Sequence, residues 1–173
     1  MLKDLLEKKR SQIVKRWLEL IFDTYPPDSS KFLMTQGNRF ANPVGSTISN
    51  AVEKLYDGVV LGVDSQSEEI CLLLDDIVRI RAVQEFSPAH AVGFIFLLKR
   101  AVREALDREI QHNEPARELL TFESRIDNLA LLAFDIYMQC RERIYEIRAA
   151  EIRNRTSRIL DRACQKYGMP HEW

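Results

Sequence analysis

The sequence predicts an all-α protein: a single helical domain of about five helices with a long C-terminal helix. Apolar residues recur at helical spacing over most of the 173 residues, and no segment shows a sustained period-two alternation bounded by turns. Glycine and proline number only 6 each, against 46% hydrophobic and 29% charged residues, which argues against disorder and against turn-rich β-sandwiches. A chain of this length buries enough surface to fold as one domain without disulfides or a structural metal.

Prolines and glycines divide the first part of the chain. The first amphipathic helix is expected to end near Tyr25, because the two prolines that follow cannot continue it. Residues 26–45 are predicted to form an ordered loop with one helical turn, and loops of this length in compact domains are often functional. A second helix is expected from Val44, repeats apolar residues on one face to Val59, and should stop near Gly62.

Two capping patterns place the next two helices. Ser65 and Glu68 have the spacing of a capping box, which predicts a third helix that runs to about residue 86. Ser87 and Pro88 then supply an N-cap hydroxyl and a proline in the first turn of a fourth helix.

The fourth helix is expected to run to about residue 111, with a break at Asn113–Pro115. Every residue in 89–98 except His90 is apolar. We therefore predict that other helices wrap the first half of this helix.

The last helix is predicted from Pro115 to about Tyr167, as one very long helix or a kinked pair that ends at Gly168. A first apolar stripe is expected to close the core; it comprises Ile126, Ala130, Ala133, Tyr137, Cys140, Ile144 and Ile147. A second stripe has strict seven-residue spacing; it comprises Met138, Tyr145, Ile152 and Ile159. Small residues lie four positions after three members of the second stripe, which is typical of a coiled coil. We predict a homodimer through residues 138–163; the alternative is an ordinary amphipathic end packed on its own domain.

Charge and composition limit the partners. The net charge of −1 argues against a general nucleic-acid binder, although residues 141–166 carry +4 and the rest of the chain −5. Four of these cations repeat every seventh residue, and a solvated coiled-coil flank is favoured over a nucleic-acid surface. The longest apolar run, Ala91–Leu98, is too short to span a bilayer, and the three scattered cysteines suit the cytoplasm. We expect a cytoplasmic protein without a membrane span.

Catalytic and metal-binding motifs are missing from the sequence, so we expect neither an enzyme nor a cofactor. His90 allows two interpretations. Its spacing places it above Phe94, so that it could ligate haem in an apolar helical pocket. The favoured interpretation is a histidine in a capping turn that is hydrogen-bonded to a nearby carbonyl or carboxylate.

The third helix carries a cluster of charges: Asp75, Asp76, Arg79 and Arg81. Asp75 and Arg79 have the spacing of an ion pair on one helix face. Because apolar residues flank the cluster, some of its charges are expected to lie against the core and to be paired there. A structural ion-pair network is slightly favoured over a ligand or partner site.

Two segments, Asp76–Ala91 and Asn42–Gly45, resemble the N-terminal domain of RsbRD-type RsbT co-antagonists, which are sensor proteins of the bacterial stressosome. The resemblance covers most of residues 5–145. It implies an all-helical input domain without haem, with a globin-like arrangement as one option, followed in the family by a STAS domain that takes phosphate from a partner kinase. This chain ends at Trp173, so we expect no STAS domain, and the resemblance does not establish direct partnership with the RsbT kinase.

The residues that match the family pattern are Asn42, Pro43, Gly45, Arg79, Arg81, Gln84 and Phe86, and the pattern assigns them no roles. With His90 added, the candidates for ligand or partner binding are Asn42, Arg79, Arg81, Gln84 and His90. Residues 1–145 are predicted to be the sensor domain and 146–173 a C-terminal helix extension with a short tail.

The function predicted is a non-enzymatic regulatory input module that dimerises and binds a protein partner or a signal in bacterial stress or redox signalling. Short relatives of this kind also resemble proteins encoded near membrane redox complexes of sulfate-reducing bacteria, which implies a partner-binding role. The alternative function is a sensor that binds a small molecule or haem.

Overall fold

In this computed structural model, the described residues are 2–35, 40–111 and 116–168, and they form helices without strands. The elements are α1 (Leu2–Lys8), α2 (Arg10–Phe22), α3 (Pro27–Met34), α4 (Pro43–Leu61), α5 (Glu68–Val83), α6 (Pro88–Gly93), α7 (Leu97–Ala105), α8 (Asp107–Gln111) and α9 (Ala116–Tyr167). The all-α class is confirmed. The described residues form nine helices instead of about five, because two predicted helices are interrupted and the predicted loop contains α3.

The predicted first helix is divided at Lys9. The backbone of Lys9 departs from helical geometry, with φ −100° and ψ 11°. Its Nζ donates to the carbonyl of Ala105 and to Glu109 Oε1, at 2.5 and 2.7 Å. Lys9 lies between α1 and α2, and these contacts fix its side chain against the end of α7.

The predicted fourth helix is divided into α6, α7 and α8. Between α6 and α7, the amides of Ile95 and Phe96 donate to carbonyls three residues earlier, which is 3₁₀-like geometry. The carbonyl of Phe94 instead accepts a 2.7 Å hydrogen bond from the indole Nε1 of Trp17, whose side chain is 1% exposed. The first half of the predicted fourth helix is wrapped only in part: most of its apolar residues are buried, whereas Phe96 is 47% exposed and Ala89 is exposed too.

Other helix ends match the sequence more closely. Ser87 and Pro88 begin α6 as predicted, and Gly62 follows α4 with a left-handed φ of 72°. The predicted capping box at Ser65 is wrong, because Ser67 is the N-cap of α5 and its hydroxyl accepts from the amide of Ile70. The predicted break at Asn113–Pro115 lies outside the described residues.

The core lies where α2 packs on α7 and α4 packs on α5, and the first part of α9 contributes to it. Its least exposed side chains include Ile13, Trp17, Ile21, Ile48, Leu55, Leu74, Ile77, Leu98 and Ile126. The chain divides into two compact units after Tyr137. In the first unit, the apolar stripe of α9 is buried from Ile126 to Tyr137. In the second unit, the residues assigned to the same stripe are half-buried at Cys140 and 59% exposed at Ile147.

No helix among the described residues is long and apolar enough to cross a membrane.

Candidate functional site

A buried arginine is the most unusual polar group of the first unit. Arg81, in the last turn of α5, is 0% exposed. Its Nη1 donates to the carbonyl of His90 at 2.7 Å, and its Nη2 donates to Thr24 Oγ1 at 2.8 Å. Nη2 also makes a longer contact of 3.5 Å with the carbonyl of Ile21. All three acceptors are uncharged, and in the described part of the chain no carboxylate forms an ion pair with Arg81. A guanidinium stays protonated in proteins, so the site holds a cation without a counter-charge.

Three aromatic rings surround this cation. The guanidinium carbon lies 5.1 Å from the ring centroid of Tyr25, 4.9 Å from that of Phe86 and 5.3 Å from that of Phe94. The rings of Tyr25 and Phe86 also meet edge to face, with centroids 5.1 Å apart. The negative faces of aromatic rings attract a desolvated cation, so these contacts offset part of the cost of burying Arg81. We call Arg81, Thr24 and the three rings the Arg81 site.

Two polar atoms of the Arg81 site are unsatisfied. Arg81 Nε and Tyr25 Oη are buried and have no hydrogen-bond partner among the described residues. The Arg81 guanidinium and the Tyr25 hydroxyl lie close enough to interact electrostatically. Burial raises the pKa of the Tyr25 hydroxyl, and the nearby positive charge offsets part of that rise. Burial lowers the pKa of Arg81 for the same reason, since a low dielectric disfavours the charged form.

The connection between α5 and α6 positions one wall of the site. The amide of Phe86 donates to the carbonyl of Arg81 at 3.1 Å, and that of Glu85 donates to Ala82 at 3.3 Å. These bonds form a Schellman-type helix end, which needs a left-handed residue, and Glu85 supplies it with φ 62°. Gly62 has the same role after α4, without the steric penalty of a side chain.

Tyr137 attaches this connection to α9. Its side chain is 3% exposed, and its hydroxyl donates to the carbonyl of Phe86 at 2.7 Å. The same residue therefore fixes the backbone of the aromatic wall and ends the buried part of the apolar stripe on α9.

Asn42 lies away from the Arg81 site and is fully used in local structure. Its Oδ1 accepts from the amide of Gly45 at 2.9 Å, which caps α4 as its position before Pro43 suggests. Its Nδ2 donates to the carbonyls of Phe32 and Leu33, at 3.1 and 3.0 Å. Asn42 is 4% exposed and joins the end of α3 to the start of α4.

Arg79 and Gln84 are both exposed and do not belong to the Arg81 site. Arg79 forms the expected ion pair with Asp75, with Nη2 and Oδ2 2.6 Å apart. The charge cluster of α5 is therefore split, because Arg79 pairs at the surface whereas Arg81 enters the core without an acid.

His90 is exposed in the first turn of α6. Its Nδ1 lies 3.2 Å from Ser87 Oγ in the first turn of α6. This is the capping turn of the favoured interpretation, although the partner is a hydroxyl instead of a carbonyl or carboxylate. Haem ligation gains no support from this ring. The backbone of His90 does contribute to the Arg81 site, since its carbonyl accepts a hydrogen bond from Arg81.

The predicted dimerisation residues lie in the second unit and are all exposed. The exposed fractions are 40% for Met138, 55% for Tyr145, 65% for Ile152 and 66% for Ile159. The ring of Tyr145 contacts the guanidinium of Arg141, with 4.9 Å between the guanidinium carbon and the ring centroid.

Sequence reasoning missed several parts of the Arg81 site. Tyr25 was used only to mark a helix end. Neither the contact of Thr24 with Arg81 nor the hydrogen bond from Tyr137 to Phe86 was predicted. A usable signal was the position of Arg81 four residues after Ile77 and three after Val78, which places a cation on the apolar face of α5.

The fold defines the class of protein: an all-helical domain that continues into a long C-terminal helix. The family model of the RsbT co-antagonist protein rsbRD N-terminal domain matches residues 11–152. The chain therefore belongs to the RsbRD N-terminal domain family, whose members are regulatory input domains in stress signalling.

A protein of Archaeoglobus fulgidus, described as an "Uncharacterized protein", is 26% identical over 146 residues, which are 82% of this chain and 83% of that protein. No solved structure matches the chain, so the globin-like arrangement stays a prediction.

Proposed function

We propose that the protein is a non-enzymatic sensory module in which residues 1–145 receive a signal and the extension in 146–173 passes it to a protein partner. Family membership supports the regulatory role. Pairing of two copies through the second unit would allow the signal to be passed on, because a conformational change in the sensor domain would alter how the two α9 helices pack together. We also propose a cytoplasmic location, supported by three cysteines, at positions 71, 140 and 164, that form no disulfide.

The exposed stripe on α9 is the observation that carries this proposal. Met138, Tyr145, Ile152 and Ile159 repeat every seventh residue on an unbroken helix and are 40% to 66% exposed. Apolar residues at this spacing form the seam of a coiled coil, and soluble monomers usually avoid such strips. A second copy of the chain offers the same seam in the same register, so burial of both strips favours a homodimer.

Charges beside the seam favour one orientation of the pair. Arg141, Arg148, Arg155 and Arg162 all flank the seam on one side. An antiparallel pair would bring these rows of arginine together, whereas a parallel pair places Arg141 near Glu146 of the mate and Arg148 near Arg153. The parallel pair has one favourable contact and is the orientation we propose.

Sedimentation of the wild-type chain and of two double variants tests the pairing. Wild type should be dimeric at about 10–50 μM, and Ile152→Glu with Ile159→Glu should give a folded monomer, since buried unpaired carboxylates are costly. The control combines Ile147→Glu with Asn154→Glu, which adds the same two charges on another face and should stay dimeric. A monomeric wild type, or a dimeric Ile152→Glu/Ile159→Glu variant, would show that the seam does not pair.

A further inference from the structure

We infer that the Arg81 site binds a small carboxylate and that the ring of Phe86 closes the site in the conformation seen here. This inference rests on the proposed function, because it names the class of signal that the input domain would receive. The chemistry that recognises this ligand is a desolvated guanidinium beside a phenolic hydroxyl.

Charge is the first argument. Arg81 is 0% exposed, and its hydrogen-bond acceptors are the carbonyls of His90 and Ile21 and the hydroxyl of Thr24, all of them uncharged. Aromatic faces stabilise a cation less than a carboxylate does, and a buried ion without an opposite charge is unfavourable. A carboxylate in the site would supply the missing negative charge in a water-poor setting, where electrostatic attraction is strong.

Unused donors are the second argument. The Nε–H of Arg81 and the O–H of Tyr25 are buried without a partner among the described residues. A carboxylate has two oxygens, one for each of these donors, and charge-assisted bonds of this kind are about twice as strong as neutral ones. The remaining wall is the ring of Phe94, which suits a small apolar body attached to the carboxylate.

Access is the third argument. Phe86 is half-buried, whereas Tyr25 and Phe94 are 7% and 1% exposed, so Phe86 is the ring of the site that solvent reaches most easily. The preceding residue, Glu85, holds a left-handed φ of 62°, which is unfavourable for a residue with a side chain. This strain lowers the cost of moving the connection between α5 and α6, and movement of the Phe86 ring would open the site.

The bond from Tyr137 to the carbonyl of Phe86 links this movement to α9. When the connection between α5 and α6 moves so that the Phe86 ring leaves the site, the carbonyl of Phe86 moves with it. The bond from Tyr137 is then lost, and Tyr137 is released from the connection. Binding of the ligand is therefore coupled to loss of the hydrogen bond between Tyr137 and Phe86. The coupling is reciprocal, since loss of that bond favours ligand binding by the same free energy.

Calorimetric titration of the full chain with sodium propionate tests the site, with sodium chloride replaced step by step to keep ionic strength constant. Phe86→Ala removes the closing ring and should bind propionate at least about tenfold more tightly than wild type. Arg81→Met should weaken binding at least about tenfold, whereas Arg79→Met, which removes an exposed arginine from the same helix, should stay within about twofold. Lack of saturable binding to Phe86→Ala up to about 100 mM propionate would overturn the inference.

Tyr25→Phe provides a second test, which also serves if circular dichroism shows that Arg81→Met does not fold. This variant keeps the ring and the cation and removes one donor, so binding should weaken by about tenfold. Unchanged affinity in Tyr25→Phe, or an equal loss in Arg79→Met and Arg81→Met, would overturn the inference because binding would then not depend on the site.

Titration of the Ile152→Glu/Ile159→Glu variant separates this inference from the proposed assembly. The Arg81 site lies wholly in the first unit, so this variant should bind propionate like wild type. If propionate binds but the wild-type chain is monomeric, the assembly fails and the site stands. If the chain is dimeric and Phe86→Ala binds no propionate, the site fails and the assembly stands.

Discussion

The hydroxyl of Tyr137 donates a 2.7 Å hydrogen bond to the backbone carbonyl of Phe86, 51 residues earlier in the chain. This bond joins α9 to the connection between α5 and α6. The ring of Phe86 covers the buried guanidinium of Arg81, so one hydrogen bond holds both the backbone and the aromatic wall of the site in place.

Replacement of Tyr137 by phenylalanine should lower the free energy of unfolding by about 1 kcal/mol, because the carbonyl of Phe86 loses its side-chain donor. Urea denaturation followed by circular dichroism measures this change. Tyr167→Phe is the control, because that side chain is 68% exposed and the loss of its hydroxyl should cost less than about 0.5 kcal/mol. Equal effects of the two variants would contradict a special role for Tyr137.

Two replacements of Asn42 separate its cap from its other hydrogen bonds. Asn42→Ala removes the cap of α4 and the bonds to Phe32 and Leu33, and should destabilise the fold by about 2 kcal/mol or more. Asn42→Asp keeps the cap acceptor but turns an oxygen toward these carbonyls, so it should be at least as damaging as alanine. Thermal melting measures the stability of both variants. An Asn42→Asp variant with nearly the stability of wild type would show that only the cap matters.

Glu85→Gly should stabilise the fold by up to about 1 kcal/mol, because glycine adopts the left-handed conformation at φ 62° without a steric penalty. Gly62→Ala is the converse change at φ 72°, where an added Cβ would also lie 3.1 Å from the guanidinium of Arg125, and it should destabilise. Chemical denaturation of both variants measures the pair. A loss of stability in Glu85→Gly would mean that contacts of the Glu85 side chain outweigh the backbone strain.

Glu104 should make a small pH-dependent contribution to stability. Hydrogen bonds from Arg16 and Arg100 lower the pKa of its carboxyl from 4.5 to about 2. The folded state therefore favours the charged form, and the contribution is full above pH 4.5 and is lost as the pH falls toward 2. Because Glu104 is 40% exposed, we expect less than about 1 kcal/mol at pH 7.

Urea unfolding of wild type and Glu104→Gln at several pH values checks this prediction. The difference between the two proteins should shrink between pH 4.5 and 2, the interval bounded by the two pKa values. A difference that grows as the pH falls would contradict the assigned pairing.

The all-α class, the end of α4 and the extent of α9 could be predicted from local sequence. Gly62 permits a left-handed helix end, and no proline or glycine interrupts residues 116–167. The division at Lys9 could not be predicted, because it accompanies a hydrogen bond to Ala105, 96 residues away. The end of α5 was placed too late for a related reason, since Glu85 occupies a conformation usually associated with glycine.

The candidate site was predicted only in part. Arg81 was singled out from its position in the family pattern, but its partners come from three other segments, at residues 21–25, at Phe86 and at residues 90–94. A sequence shows that a cation falls on an apolar face, whereas the choice between an acid and a set of aromatic rings as its surroundings depends on tertiary packing. Asn42 was singled out from the same pattern as a binding candidate, and its hydrogen bonds give it a local structural role instead.

Trp17 gives the protein an optical reporter of its own. Its indole is 1% exposed and is bonded to the carbonyl of Phe94, whose ring is one wall of the Arg81 site. With Trp173 replaced by phenylalanine, all tryptophan fluorescence would arise from this one indole. Its emission wavelength depends on the polarity around the ring, so a rearrangement of the neighbouring aromatic residues could be followed in real time without an attached dye.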